Sequence, residues 1–329
     1  MNISVLALDG VFDTGLATVL DTFTAANELA QATGMPTPGF HVSVVGMRAR
    51  VSTANGMKVP ALVAEQAPQP DWVIVPALGC KMPETLVPAL ARPDVRDGIV
   101  WLRDCAQAGA RTAAACVGTF VLGEAGLLDG REATTSWWLA PLFRQRYPDV
   151  QLSPNRILVP SGSVLTAGAG FSHVDLALWL LRQRSPDLAG IVVRYLIVDS
   201  RTSQSVYMIS DHLSQADPLI ARFDRWVRDH IDQAVNLDEA AAALATSKRT
   251  LARRLHDVLG KTPVAYIQDL RVERAVHLLK TSNQSIDSIA AQVGYADGVT
   301  LRTLLRRRTG KGVRELRGLT DRRDAAARC

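Results

Sequence analysis

Cys116 is the residue whose surroundings most clearly predict chemistry. It ends the apolar run RTAAAC and precedes the small residues of VGTF. A strand followed by a sharp turn into a helix exposes the side chain at the turn, as in a nucleophile elbow. The helix dipole would lower the pKa of this thiol and favour the thiolate, and the backbone N–H groups of Val117 and Gly118 would bind an anion. The sequence therefore predicts an exposed, acidic thiol beside an anion-binding turn.

Three interpretations of this turn are open. A cysteine-dependent hydrolase or amidase needs a base near the thiol, and His173 in AGAGFSHVDLALWLL is a candidate, although a histidine on a helix is more often structural. A small-molecule pocket would instead surround the thiol. It would be lined by Asp13, Gly79, Cys116, Val117, Gly118 and Ser136. The third interpretation is a dimerisation scaffold with an inert thiol, because a buried cysteine commonly behaves as a small hydrophobic residue.

The second chemical signal is a pair of basic helix-turn-helix patterns in the last third of the chain. They are LDEAAAALATSKRTLARRLHDVLG, residues 237–260, and SIDSIAAQVGYADGVTLRTLLRRRTG, residues 285–310. Each has a short apolar helix, a tight break and a second helix with Arg or Lys on its outward face. The repetition at similar internal spacing predicts a DNA-binding module rather than an ordinary solvated helix face.

The first pattern carries the richer set of candidate DNA contacts. Leu251, Leu255 and Val258 recur at helical spacing and predict one buried face. The opposite face carries Lys248, Arg249, Thr250, Arg253 and Arg254. Arg can form two hydrogen bonds with guanine in the major groove, whereas Lys and Thr more often bind phosphates. We therefore expect Arg249 and Arg253 to contact bases.

The second pattern has fewer side chains suited to base contact. Its first turn, Asp297-Gly298-Val299, is poor in groups that hydrogen-bond bases, and leucines face inward behind it. The outward positions are Thr300, Arg302 and Arg306. We expect this helix to rely more on phosphate contacts than the first. The helix between the two patterns starts near Thr262, and its apolar residues, Val264 among them, predict a buried connector.

The region before these patterns alternates apolar β-like runs with amphipathic helical stretches. Residues 3–8, 40–46, 71–78 and 111–116 are predicted strands, and most are apolar throughout, as in a parallel sheet covered on both faces. Helical patterns lie between them, at residues 16–30 and 95–109. The predicted fold class is α/β, a flavodoxin-like layered parallel sheet, followed by an all-α domain with two helix-turn-helix units.

Composition agrees with a two-domain regulator. The predicted domains are residues 1–199 for the α/β domain, 200–218 for a linker, 219–320 for the DNA-binding domain and 321–329 for a tail. Residues 219–329 contain 21 Lys and Arg against 13 Asp and Glu, whereas the whole chain of 329 residues has a net charge of only +5. A basic C-terminal part after an acidic-to-neutral body is typical of a protein that binds a polyanion.

The sequence also argues against several classes of protein. No run approaches the ~18 apolar residues of a membrane span, and the start MNISVLALDG lacks the basic segment of a signal peptide. The four cysteines, at positions 80, 105, 116 and 329, form no CxxC pair and no metal-ligand spacing. We therefore expect a cytoplasmic, reduced protein with no membrane contact, no metal site and no cofactor.

The segment from Pro218 onward resembles the DNA-binding domain of the AraC/XylS family. The resemblance rests on SKRTLARRLHDVLGKTPVAYIQDLRVERAVHLL and on SIDSIAAQVGYADGVTLRTLLRRRTG. It implies two recognition helices, joined by a rigid linking helix, that enter successive major grooves. The sequence departs from the family pattern at Leu301 and Leu305, usually Phe, at Thr303, often Arg, and at Val313, usually Pro.

The segment RTAAACVGTFVLGEAGLLDG, together with LLDGREATTSWW, resembles the PfpI-type class I glutamine amidotransferase-like superfamily. The whole chain resembles the GlxA-type subgroup of AraC regulators. In the enzymatic relatives a His follows the Cys directly or lies after the next strand, and these positions correspond to Val117 and Ser136. The position of the acidic partner corresponds to Gly15, with Asp13 nearby. The resemblance therefore implies that the chain is not an enzyme.

Together these signals predict a sequence-specific transcriptional regulator, and by the resemblance an activator. Its expected partners are promoter DNA, RNA polymerase and a second copy of the chain in a homodimer. Its N-terminal domain would sense a small-molecule effector or mediate dimerisation. The alternative is a cysteine-dependent hydrolase or amidase that uses Cys116 as its nucleophile and binds nucleic acid through its C-terminal part.

Overall fold

The computed structural model describes residues 1–35, 39–198, 201, 204, 217–233, 235–259 and 261–317. The chain divides into two compact units, Met1–Gln204 and Ser205–Cys329. Within the predicted linker the described residues are Arg201, Gln204, Asp217 and Pro218, and the predicted tail lies outside the described residues.

A largely parallel sheet forms the centre of the N-terminal unit. The strands are β1 (Asn2–Leu6), β2 (His41–Gly46), β3 (Arg50–Ser52), β4 (Lys58–Pro60), β5 (Leu62–Val63), β6 (Trp72–Val75), β7 (Arg111–Ala115), β8 (Glu132–Ala133), β9 (Gln151–Leu152), β10 (Leu158–Ser161) and β11 (Val164–Ala167). Seven of them form one sheet in the order β10-β11-β7-β6-β1-β2-β5. All neighbours in it are parallel except the antiparallel pair β10–β11.

Helices cover both faces of this sheet. They are α1 (Asp13–Ala32), α2 (Pro83–Leu90), α3 (Pro93–Gln107), α4 (Gly118–Glu124), α5 (Ala140–Arg146), α6 (Ser172–Arg184) and α7 (Pro186–Tyr195). Helices α1, α6 and α7 pack on one face in one hydrophobic core, and α2, α3 and α4 pack on the other face in a second. This arrangement confirms the predicted layered α/β class.

The central strands β1, β6 and β7 are apolar because both of their faces are buried. In β6, Ile74 packs in the core beneath α1, while its neighbours Val73 and Val75 pack in the opposite core. The four predicted strands correspond to β1, β2, β6 and β7. The hairpin β10–β11 was not predicted, because each of its strands has only four residues and a polar turn at Gly162, with φ +62°, separates them.

The C-terminal unit is helical among its described residues. Its helices are α8 (Pro218–Asp229), α9 (Leu237–Ala243), α10 (Lys248–Leu259), α11 (Pro263–Thr281), α12 (Ile286–Gln292), α13 (Gly298–Thr309) and α14 (Val313–Leu316). Helices α9 and α10 form the first helix-turn-helix unit, and α12 and α13 form the second. Polar side chains begin these helices, since Ser247 Oγ accepts from the Thr250 N–H at 3.1 Å and Ser285 Oγ from the Ser288 N–H at 3.1 Å.

The long helix α11 joins the two units. Its residues Val272, Ala275 and Leu279 pack in one hydrophobic core with Ile289 of α12 and Leu305 of α13. The predicted connector is therefore buried along this side. Its first turn is an exception, because Val264 is 53% exposed and does not belong to the core.

No helix among the described residues combines the length and the apolar character that a membrane crossing requires.

Candidate functional sites at the Cys116 turn and the two recognition helices

Cys116 occupies a strained turn between β7 and α4. Its φ is +57°, a conformation that side chains other than glycine rarely adopt, and its backbone N–H donates to the Ala167 carbonyl at 2.9 Å. Gly118 is required beneath it, since a Cβ there would lie 2.3 Å from the Val75 carbonyl oxygen. The strand-turn-helix geometry of a nucleophile elbow is thus present.

The thiol itself is neither exposed nor acidic. Cys116 is 7% exposed, and its Sγ lies 2.8 Å from Ser136 Oγ. Burial raises the pKa of the Cys116 thiol, although hydrogen bonds from Ser136 and from the backbone of Gly170 and Val117 act in the opposite direction. The predicted lowering of this pKa is therefore wrong. Removal of the thiol from water outweighs the hydrogen bonds that favour the thiolate.

Both ring nitrogen atoms of His173, the candidate base, are hydrogen-bonded to backbone groups. Its Nε2 accepts from the Ala77 N–H at 3.2 Å, and its Nδ1 donates to the Gly170 carbonyl at 3.0 Å. Burial lowers the pKa of His173 to about 4, so the ring is neutral near pH 7 and both of its nitrogen atoms are occupied. A Cβ at Gly15 would lie 2.6 Å from His173 Nε2. The imidazole thus fills the space that a side chain at position 15 would take.

The other residues of the predicted pocket fall into two groups by their direct contacts. Cys116, Ser136, Val117 and Gly118 lie together and are buried. Asp13 instead accepts from the Asn55 backbone N–H at 3.1 Å and from Asn55 Nδ2 at 3.0 Å, and a hydrogen bond from Thr53 is the main cause that lowers its pKa. Gly79 packs against the same loop, where a Cβ would lie 2.3 Å from the Ala54 Cβ.

Gln204 was assigned to the linker by its polar surroundings, yet it is 2% exposed in the N-terminal unit. Its Nε2 donates to the Thr135 carbonyl at 3.0 Å, and its Oε1 accepts from the Ala169 N–H at 2.9 Å. These residues directly precede Ser136 and Gly170, two of the hydrogen-bond partners of the thiol. Sequence periodicity gave no signal for this anchor, since it depends on two loops that are distant along the chain.

An open cavity of about 490 Å³ lies elsewhere on the N-terminal unit. Its lining combines apolar side chains with a few polar groups: Thr18, Asp21, Thr22, Phe171, Val174, Leu196, Ile197, Val198 and Arg201. Phe171 and Ile197 are 62% and 91% exposed. The sequence patterns did not predict this cavity, because it combines α1 with the starts and ends of other helices.

The outer face of α10 is exposed as predicted. Arg249 is exposed and has no ion pair among the described residues. Arg253 lies 3.7 Å from Asp257 in an exposed pair. Surface pairs of this kind contribute little to stability, so the Arg253 guanidinium remains able to turn towards a ligand.

Two of the predicted contacts on α10 are also bound within the domain. Lys248 Nζ lies 2.8 Å from the carboxylate of Asp238 on α9. Arg254 Nε lies 3.3 Å from Asp217 Oδ2, and the same Asp217 side chain accepts from the Leu219 N–H at the start of α8. Arg254 therefore stabilises the packing of α10 beside α8, in addition to its predicted role.

The exposed face of α13 carries Thr300, Arg302 and Arg306. Asp297 begins the helix and accepts from the Thr300 N–H at 2.7 Å. Val299 in the first turn is 65% exposed. Neither arginine has an ion pair among the described residues, so both are available to an anionic partner.

Polar contacts with α11 hold the two helix-turn-helix units together. Asp269 of α11 lies 2.7 Å from Lys261 Nζ, just after α10, and 3.5 Å from Arg308 Nη1 in the last turn of α13. The Arg271 guanidinium stacks 5.2 Å from the centre of the Tyr295 ring, which lies at the break of the second unit. One helix thus fixes both recognition helices, as the resemblance implied. Among the described residues no cluster of side chains suits a metal ion.

Comparison with known proteins identifies both parts of the chain. The chain belongs to the DJ-1/PfpI family, whose pattern it matches over residues 1–183. Residues 240–318 match a helix-turn-helix domain, which is of the AraC type. The chain is thus a DNA-binding transcriptional regulator with a DJ-1/PfpI-like N-terminal domain.

The chain is similar to several known transcriptional regulators. The transcriptional regulator GbdR of Pseudomonas aeruginosa is 25% identical over 300 residues, which are 89% of this chain and 78% of GbdR. The regulator ArgR of the same species is 28% identical over 201 residues, 60% of this chain and 61% of ArgR. The transcriptional activator RhaS of Escherichia fergusonii is 41% identical over 92 residues, 28% of this chain and 33% of RhaS.

Solved structures show the same fold in the N-terminal part. An AraC family transcriptional regulator from Pseudomonas putida has a TM-score of 0.50 at 22% identity and covers 59% of this chain and 98% of its own. A transcriptional regulator protein from Vibrio parahaemolyticus has a TM-score of 0.51 at 21% identity, with coverage of 60% and 98%.

Proposed function

We propose that this regulator is an activator that binds its operator mainly through α10 and senses a small molecule through a non-catalytic N-terminal domain. The observation that carries the proposal is the contrast at the two sites. The Cys116 thiol is buried against Ser136, and His173 is neutral and hydrogen-bonded to backbone groups, whereas Arg249, Arg253, Arg302 and Arg306 are exposed. Activation is supported by the similarity of the C-terminal part to RhaS, whose name describes an activator.

The proposed operator contacts divide into two kinds. Arg249 and Arg253 contact base edges, because guanidinium groups on the outer face of a recognition helix match guanine in the major groove. The remaining contacts hold the phosphate backbone and fix the register. They are Lys248, Thr250, Arg254, Thr300, Arg302 and Arg306.

The effector, in this proposal, binds at a pocket of Asp13, Gly79, Cys116, Val117, Gly118 and Ser136. Support comes from Gln204, whose amide binds the two loops that contact the thiol and which begins the segment leading to the C-terminal unit. A ligand that moves these loops would change the hydrogen bonds of Gln204. The regulator acts as a homodimer in the cytoplasm on promoter DNA and contacts RNA polymerase.

Selection of bound sequences from a random DNA duplex pool tests operator binding directly. We expect the full-length protein to enrich one sequence pattern, and Arg253→Ala to lose about 1–3 kcal/mol of specific binding with relaxed preference at one base pair. An equal loss on every sequence would instead assign Arg253 to a phosphate.

The second candidate function is a cysteine-dependent amidase, which the elbow geometry of Cys116 favours. A thiol-reactive probe separates the two functions. Slow labelling of Cys116 at pH 7 without turnover of amide substrates supports the regulator, since burial raises the pKa of this thiol. Rapid labelling together with turnover that is lost in Cys116→Ala would support the enzyme.

A further inference from the structure

The first two turns of α13 present apolar groups to solvent. Val299 is 65% exposed, and Thr303, one helical turn further on, is also exposed. Side chains four residues apart lie on the same face of a helix. The two residues therefore form a short stripe at the N-terminal end of the second recognition helix.

The hydroxyl groups near this stripe are already engaged within the helix. Thr303 Oγ1 donates to the Val299 carbonyl oxygen at 3.1 Å, and Thr300 Oγ1 donates to Asp297 Oδ2 at 3.1 Å. Each threonine has a single hydroxyl hydrogen, and both are used in this way. These side chains therefore cannot donate a hydrogen bond to a partner, and they still offer their methyl groups and the acceptor lone pairs of their hydroxyl oxygens.

The position of the stripe decides what kind of partner it meets. In a helix-turn-helix, residues at the N-terminal end of the second helix contact base edges in the major groove. Among the bases only thymine presents a methyl group there, and apolar side chains are its usual partners. Arg302 and Arg306 lie beside the stripe and are exposed, so they can hold phosphates while the stripe faces the bases.

We propose that Val299, assisted by the methyl group of Thr303, contacts the 5-methyl group of a thymine in the major groove. The second unit then selects an A·T pair by apolar contact, whereas Arg249 in the first unit selects a G·C pair by hydrogen bonds. This inference rests on the proposed operator binding. It adds a base contact to the phosphate contacts expected of α13, and it predicts an operator with unlike half-sites.

Replacement of thymine by deoxyuridine removes only the methyl group and tests the contact directly. The duplex is the sequence enriched by the full-length protein, with each thymine replaced in turn, and the dissociation constant is measured for the wild type and Val299→Ala. Burial of one methyl-sized group is worth a factor of about four in affinity. We expect this loss for the wild type at one thymine, in the half-site whose base preference is unchanged in Arg249→Ala.

The same replacement should cost Val299→Ala less than about twofold, because the partner of the methyl group is gone. Val264→Ala is the matched control, since it truncates another exposed valine, on α11, and should keep the full fourfold loss. A loss of equal size in the wild type and Val299→Ala, or the absence of any sensitive thymine, would overturn the contact. A pool without enrichment would overturn operator binding itself and this inference with it.

Discussion

Polar groups at the Cys116 turn are hydrogen-bonded within the protein, whereas those on the outer face of α10 are exposed. At the turn, Cys116 is hydrogen-bonded to Ser136, and both ring nitrogen atoms of His173 have backbone partners. On α10, Arg249 is exposed and unpaired among the described residues. A group whose partners are all internal stabilises the fold, whereas an exposed cation is available to a polyanion.

At the Cys116 turn the backbone of a nucleophile elbow is present, with Cys116 at φ +57°, and both ring nitrogen atoms of His173 are hydrogen-bonded to backbone groups. In the C-terminal unit, Arg249, Arg302 and Arg306 are exposed and have no ion pair among the described residues. The following predictions test the two sides of this contrast in order of expected effect.

Acidification should destabilise the N-terminal unit through His173. Burial lowers the pKa of His173 to about 4, whereas an unfolded histidine has a pKa of about 6.5. As the pH falls below 6.5 the unfolded chain binds a proton that the folded chain does not, so stability is lost between pH 6.5 and pH 4, by about 3 kcal/mol. Urea unfolding at pH 7 and pH 4.5 measures this loss. His173→Gln should show a smaller one, and equal losses in both proteins would refute the assignment.

Removal of the Arg249 side chain should weaken operator binding by α10. We expect Arg249→Ala to cost about 1–3 kcal/mol of operator binding, and to relax selection at one G·C pair, because it removes a bidentate base contact. Fluorescence anisotropy on the selected duplex and on single-base variants gives both quantities. Arg184→Ala, an exposed arginine on α6, should leave binding unchanged.

A side chain at position 15 should collide with the His173 ring. Gly15→Ala places a Cβ about 2.6 Å from Nε2, so we expect a loss of about 1–3 kcal/mol in the free energy of unfolding. The same change in a His173→Ala background should cost clearly less, since the space is then free. Thermal unfolding of the four proteins completes the cycle, and additive losses would contradict the packing argument.

The smallest effect is expected where a cation of α10 already has a carboxylate. Asp238→Ala removes the partner of Lys248, a pair in which both side chains are more than half exposed. Stability should change by less than about 1 kcal/mol, while DNA binding should become slightly tighter and more sensitive to salt, because Lys248 is released to phosphates. A titration in salt measures this slope, and a weaker affinity would show that Asp238 supports binding.

The sequence predicted what depends on local pattern. The central strands were predictable because β1, β6 and β7 are apolar on both faces, and the outer face of α10 was predictable from the spacing of Leu251 and Leu255. The state of Cys116 was not, since its pKa depends on burial by distant segments. The fit of His173 against Gly15 was missed for the same reason, as these residues are 158 positions apart in the chain.

The hydrogen-bonded amide of Gln204 has a consequence both for DNA binding and for the thiol pocket. Thermodynamic coupling is reciprocal: if an occupant of the thiol pocket alters DNA affinity through the segment that begins at Gln204, occupied DNA must alter the pocket by the same free energy. The slow chemical modification of Cys116 would then report on operator occupancy. In such a regulator, the reactivity of the buried thiol would depend on whether the protein is bound to DNA.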